Sequence, residues 1–202
     1  MKNAGIAGAT IFNISSNADK GGFMKNSYTS GITYHNSEWW KLVKHAAVEA
    51  DRLGLEIGIH NCVGYTGSGG PWITPERSMQ QVVWSSVSRP MPFIAVLPQP
   101  PTTLGFYRDI VVLAVPDGEP SPEQIMDISS FMKPDGSLDW DVPPGAWTIF
   151  RFGHTSTGRR LRPVPEDLNT KTLDADKMSD EAMAYHMRQV LDPLKENLGP
   201  LV

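Results

Sequence analysis

SEWWKLVKHAAVEADRLGLEIGIH, Ser37–His60, decides the fold class. Trp39, Leu42, Val43, Ala46, Ala47, Ala50 and Leu53 recur at helical spacing, which predicts an amphipathic helix. Ser37 suits its N-cap, and Gly54 ends it as a left-handed C-cap would. LEIGIH follows at once and reads as a buried strand ending at His60. Upstream, Ala4–Phe12 is a run of small and β-branched apolar residues and predicts another buried strand. Strand, helix, strand is a βαβ unit with parallel strands and, by default, a right-handed crossover.

In βα-built folds the ligand sits beyond the carboxyl ends of the strands. The first strand opens there into residues 13–36, a polar loop rich in Gly, Asn and Ser with Phe23, Tyr28 and Tyr34 interleaved. The second runs through His60 and Asn61 into the glycine-rich CVGYTGSGGPW. Asn61 offers a donor and an acceptor to hydroxyl groups, or an Asx-turn; His60 offers an imidazole, or an ordinary structural hydrogen bond. Trp72 stacks on a ligand face or anchors packing. Asn13, His60 and Asn61 are expected on one rim, with Tyr65 and Trp72 nearby. Thr74–Pro75 then gives a helix-start signal for Pro75 to about Gln81.

After Gln81 the pattern changes. QVVWSSV, FIAVL, FYRDIVVLAV and GAWTIFRFG are β-branched and aromatic runs separated by Pro and Gly clusters, and PDGSLDWDVPPGAW carries a D-G turn. They predict an antiparallel β-rich insert over 82–158, sandwich-like, between a partial barrel segment over 1–81 and a linker and return helix over 159–202. The return helix is expected from Met178 to Leu198 with Ser179 as N-cap, and with Met183, Met187, Val190, Leu191 and Leu194 on its apolar side. Pro193 should kink it or end it early.

The chain has 202 residues, a formal charge of −4 and no block of like charges, which argues against nucleic acid or an anionic membrane as partner. Cys62 is the only cysteine, so neither an intrachain disulfide nor a metal site of Cys type can form. The first residues lack a signal-peptide pattern, and no segment approaches the roughly 18 apolar residues of a membrane span. His35, His45, His154 and His186 show no zinc-protease spacing, and GYTGSGGPW lacks the phosphate-loop and dinucleotide patterns. Asp174 and Asp176 offer a carboxylate pair, but two Asp one residue apart ahead of an N-cap are expected as solvated or dipole-directed charges.

IFNIS, the continuous stretch from Glu38 to Ser85, FYRDIVVLAV, LDWDVPPGAWTIFRFGHTSTG and DADKMSDEAM together resemble glycoside hydrolase family 106, with GGPWITPE and GAWTIFRFGHT specific in combination. The resemblance implies a (β/α)8 TIM-type barrel interrupted by β-sandwich elements. It further implies hydrolysis of terminal alpha-L-rhamnosides with inversion, a rhamnose-containing glycan as partner, calcium dependence, and a periplasmic or secreted full-length protein. A full barrel needs about 250 residues, so this chain is expected to be a fragment of one. The acid and base carboxylates are expected beyond Val202, none is assigned within the chain, and the isolated chain is expected to be inactive. The alternative is a non-catalytic carbohydrate-binding or interaction module in which the β-rich insert does the work.

Overall fold

A computed structural model describes residues 1–14, 32–90, 95–161, 164 and 172–201. Phe23 and Tyr28 of the long first loop lie outside the described residues. The chain is a mixed α/β protein that divides into two compact units, Met1–Met79 with Gly158–Val202, and Gln80–Thr157.

The first unit is built on strand β1 (Gly8–Asn13), helix α1 (Ser37–Leu53), strand β2 (Glu56–Val63) and helix α2 (Asp180–Leu198). β1 and β2 pair in parallel, in register from Gly8↔Glu56 to Ile11↔Ile59 and then at Asn13↔Val63. Between those pairs β1 advances two residues and β2 four, so His60, Asn61 and Cys62 bulge opposite Phe12. β2 therefore runs on to Val63 rather than ending at His60. A bulge re-aims side chains at a strand's end, and Cys62 and Val63 both turn inward here.

Asn36, not Ser37, caps α1: its Oδ1 accepts from the Trp39 amide at 2.8 Å, which leaves Ser37 as the first helical residue. Gly54 ends the helix at φ 60° as expected. Its buried face is Trp39, Trp40, Val43, Ala47 and Ala50. Leu42 and Leu53 are 55% and 37% exposed, because the stripe through Trp40, Val43, Ala47 and Ala50 turns them outward. Trp39, Trp40, Val43 and Ala47 pack with Tyr34, Cys62, Val63 and Leu198, and Ile11 and Ile59 of the sheet lie against this core.

Ser179 caps α2 by accepting from the Ala182 amide at 3.2 Å. The helix does not stop at Pro193 but continues to Leu198. Proline there forfeits only one backbone bond of the ladder, and its own carbonyl accepts from the Asn197 side chain at 2.8 Å. The buried side is Ala182, His186, Val190 and Leu198, while Leu191 is 38% exposed, so the inward stripe centres on a histidine.

The helix expected from Pro75 is a single 3-10 turn, Pro75–Arg77. Ser78 spends its hydroxyl on the Pro75 carbonyl at 2.8 Å, and the Met79 amide donates to the Asp174 carbonyl at 3.0 Å. Those bonds pull the chain into extended backbone before a second helical turn can form.

The second unit contains β3 (Gln80–Pro90), β4 (Ala95–Val96), β5 (Arg108–Pro116), β6 (Met126–Asp127), β7 (Ser137–Leu138) and β8 (Ala146–Ser156). β3-β8-β5-β6 form an antiparallel sheet, and β4 pairs with β7 in a short ribbon that follows the Asp135–Gly136 turn. β8 alternates strictly: Trp147, Ile149 and Arg151 point inward, with Leu97, Val112, Ala114 and Ile128 completing the apolar core. Arg151 is buried at no loss of partners, since its guanidinium meets Asp109 at 2.7 and 2.9 Å and the Leu97 carbonyl at 3.0 Å. The same guanidinium holds the Asp109 carboxyl below the usual carboxylate range. Burial and Asp109 push the Tyr107 phenol up to about 12.

Tyr107 lies flat over Gly153, where a Cβ would overlap the phenol ring. Gly153→Ala should therefore destabilise the chain by about 1–3 kcal/mol, the usual cost of overpacking. A denaturant melt checks this, and an unchanged midpoint would show that the ring slides aside freely.

Candidate functional site

The carboxyl end of the β1–β2 pair is made of aromatic faces and amides. Phe12 and His60 stack across the two strands with ring centroids 4.8 Å apart and a 24° tilt. His60 Nδ1 lies 3.2 Å from the Cys62 carbonyl. A carbonyl only accepts, so this contact puts a proton on Nδ1 and turns Nε2 away from it. Asn13 sits at the same end, opposite Val63, and its Oδ1 accepts from the Trp39 indole at 2.8 Å. Its Nδ2 and the Tyr34 hydroxyl are both buried with no hydrogen-bond partner among the described residues. Burial pushes the Tyr34 phenol far up, so it stays protonated. Burial also raises the Cys62 thiol, which packs as a small apolar group and is no nucleophile.

Trp72 is half-buried between two imidazoles. Its ring lies 5.0 Å from His35 and stacks on His186 at 5.8 Å and 24°. His35 also touches Tyr34, Trp39 and Trp40 at ring separations of 4.2, 5.4 and 5.0 Å. It holds a left-handed backbone (φ 69°) just before the cap of α1, an uncommon conformation that such a residue keeps only when its surroundings fix it. Burial, with His186 nearby, lowers its pKa to about 4, so His35 is neutral at pH 7. Tyr65 is 64% exposed on the glycine-rich loop, and Asn61 is half-buried in the bulge.

Why the loop needs its glycines follows from what lies against it. Residues 172–176 run antiparallel to it through the bridges Gly70↔Leu173 and Ser78↔Ala175. At Gly69 (φ 107°) a Cβ would overlap the Leu173 carbonyl, so only glycine allows this approach. Beneath it, Ser68 Oγ and Lys177 Nζ donate to Asp174 Oδ1 at 3.1 and 2.6 Å. Asp174 is 1% exposed, which corrects its expected role as a solvated charge. A buried carboxylate survives only with partners, and Arg159 adds a second cation at 3.8 Å. Asp176 does act locally, accepting from the Met178 amide at 3.0 Å.

Of the five candidates, Asn13, His60 and Asn61 share the strand-end region, Trp72 joins the aromatic cluster behind it, and Tyr65 projects from the loop. Tyr34, His35, Trp39, Asp174 and His186 were not singled out by sequence. A cleft of about 570 Å³ lies elsewhere, between α1, the start of β2 and the end of α2, lined by Ala47, Leu55, Ile57, Ile59, Leu194 and Leu201. Asp51 and Glu56 also line it, and it lies at the opposite end of the strands from the aromatic and amide groups. Among the described residues no three His, Cys, Asp or Glu side chains converge to hold a metal ion.

Aromatic faces edged by amides and neutral imidazoles suit a hydroxyl-rich ligand, the class of surface on which glycoside hydrolases bind sugars. The chain belongs to that class: it is a member of the glycoside hydrolase family 106 of alpha-L-rhamnosidases, whose model matches residues 1–120 and 114–202. It is 34% identical over 238 aligned residues to a Formosa agariphila protein named "Putative beta-glucuronidase", covering 100% of this chain and 19% of that protein. A solved rhamnosidase from Novosphingobium sp. PP1Y shares its fold, with a TM-score of 0.79 and 17% identity over 99% of this chain and 34% of that one. The chain thus spans about a fifth of the curated relative and about a third of the solved one.

Asp174→Asn keeps the shape and the acceptor but removes the charge that Lys177 faces. It should lower stability by about 1–3 kcal/mol, since Lys177 is 43% exposed and water takes over part of its solvation. Urea melts of the two chains read the difference, and equal midpoints would show that the charge holds nothing.

Proposed function

We propose that this chain forms part of the sugar-binding face of a glycoside hydrolase that cleaves terminal alpha-L-rhamnosides. The observation that carries the proposal is the family match over both halves of the chain, and the strand-end cluster around Phe12, His60 and Trp72 supports it. The β1–α1–β2 unit and α2 are proposed as a segment of a (β/α)8-type barrel, with residues 80–157 inserted after β2. Parallel pairing of β1 with β2 and the packing of both helices on one side of that pair support this architecture.

In the proposed reaction Asn13, Asn61 and His60 orient sugar hydroxyls, and Phe12, Tyr65 and Trp72 cover the apolar face of the ring. Inverting hydrolysis needs two carboxyl groups roughly 6.5–9.5 Å apart, one giving a proton and one activating water. Asp174 is unsuited to either part, being buried under Ser68 and Lys177. We therefore propose that the acid and base lie outside this chain. Calcium, implied by the family likeness, finds no ligand set among the described residues, and its ligands are proposed to lie outside them.

The 202-residue chain alone is expected to release no rhamnose from an aryl alpha-L-rhamnoside in calcium-containing buffer. Turnover that a single Asp or Glu substitution in the chain abolishes would overturn this placement of the acid and base. In a protein that contains the chain and is active, His60→Ala should lower kcat/KM about 10–100-fold, the worth of a hydrogen bond made to the sugar. Unchanged kinetics would remove His60 from the site.

A second function, binding without chemistry, is favoured by one face of the antiparallel sheet. Val82, Trp84 and Ile110 are 58%, 59% and 54% exposed there, and Trp84 and Phe150 flank Phe152 at 6.4 and 5.9 Å. The exposed Trp84 ring beside the half-buried Phe152 and Phe150 offers aromatic faces on which sugar rings stack. If residues 80–157 bind glycans, Trp84→Ala will abolish retention of the chain on a rhamnose-containing polysaccharide, and retained binding would exclude this function.

A further inference from the structure

We infer that His186 is a positioning residue for the proposed sugar site: the unprotonated Nδ1 of its ring holds Trp72 and the glycine-rich loop in place, and a proton on that nitrogen releases them. The positioning role rests on the sugar-site reading above, whereas the latch itself rests on the geometry alone.

His186 is wholly buried on the inward stripe of α2. The Trp72 indole N–H donates to its Nδ1 at 3.1 Å, and the Gly69 amide points at the same ring edge, 3.3 Å from Nδ1 and 3.4 Å from Nε2. The indole is a donor only, so Nδ1 must present its lone pair. The one proton of the neutral ring then sits on Nε2, and the Asn61 backbone in the bulge of β2 favours a protonated ring. A single imidazole thereby ties α2 to the strand end and to the loop that carries Tyr65. Protonation would set a further N–H against that of Trp72, a meeting of two donors on a buried ring.

The charged and titratable groups around it come from three directions. His35 faces it from the turn ahead of α1, across the Trp72 ring. Asp174 and Lys177 face it from residues 172–177, with Arg159 on the far side of Asp174. β2 and the loop present the neutral Asn61, Ser68, Gly69 and Trp72. Burial is the largest influence and disfavours the imidazolium, the Asn61 carbonyl and Asp174 favour it, and Lys177 opposes it; the outcome is a pKa below the ordinary value. A histidine lowered in this way contributes its stabilisation fully above about pH 6.5, the ordinary histidine pKa. The contribution is lost as pH falls through the folded-state value, so the latch is closed at neutral pH and opens on acidification.

The test is an NMR titration of the isotope-labelled 202-residue chain from pH 8 to pH 5. The His186 ring, the Trp72 indole N–H and the Gly69 amide should shift together, with one midpoint below about 6.5. In His186→Gln, whose amide oxygen accepts from the indole without titrating, the Trp72 and Gly69 signals should stay at their neutral-pH positions throughout. The same shifts persisting in His186→Gln would overturn the proposal, as would a His186 in the unsubstituted chain that titrates while Trp72 and Gly69 stay still. L-Rhamnose added along the titration reads the positioning role: loss of binding across the same window, absent in His186→Gln, carries it, and binding indifferent to the latch overturns it. If the latch titrates as stated but no rhamnose binds even at pH 8, it is the sugar-site reading that fails.

Discussion

The backbone of Gly69 lies so close to residues 173–175 that no side chain fits between them, and the glycine-rich loop after β2 depends on that approach. Because the loop can come this near, Gly70 and Leu173 exchange backbone bonds at 3.2 and 3.4 Å, and Ser68 reaches a carboxylate more than a hundred positions away in sequence. The same approach sets the Gly69 amide and the Trp72 indole against His186. A methyl group at Gly69 would separate all of these contacts at once. The glycines after β2 are thus required less for flexibility than for nearness.

Nearness of this kind carries a cost, because it buries polar groups. Asp174 and His186 both lie where water does not reach. Two ways of living with burial are combined here: Asp174 gathers two cations and a hydroxyl, and His186, its pKa lowered by burial, works as a neutral acceptor. The rim residues follow a third course. His60 meets the Cys62 carbonyl on one side and stacks on Phe12 on the other.

How far the sequence discloses this depends on the range of the forces involved. Helix α1, its glycine cap, the parallel strand on either side and the Ser179 cap of α2 are local matters of spacing and capping, and they are legible from a few neighbouring residues. The errors at Asn36 and at the Pro75 turn are also local in position but not in cause. Thr74–Pro75 is a sound start for a helix, yet Met79 is claimed by the carbonyl of Asp174, a partner that no nearby residue announces. Asp174 itself looks solvated in TLDADKMSD because its anchors, Ser68 and Arg159, are distant in the chain. His186 left one trace: it takes a place in the inward stripe of α2 that an aliphatic residue would ordinarily fill. A histidine there signals partners that donate to it, and only the fold names them.

The long excursion of the chain between Met79 and Gly158 follows from the same economy. Within the second unit Gln80 pairs with Ser156 at the start of the β3–β8 ladder, so the strands that leave and return are neighbours from their first residue. Within the first unit the Met79 amide is fixed to the Asp174 carbonyl and the Asp176 amide to the Arg77 carbonyl. The excursion therefore closes its own ends, and the first unit experiences it as a short loop rather than as a chain of its full length. Closure entropy grows with the length of flexible chain between two fixed points, and the β3–β8 ladder removes nearly all of that flexibility. The eleven consecutive pairs of that ladder thus hold the two ends of the second unit side by side without help from a long flexible segment.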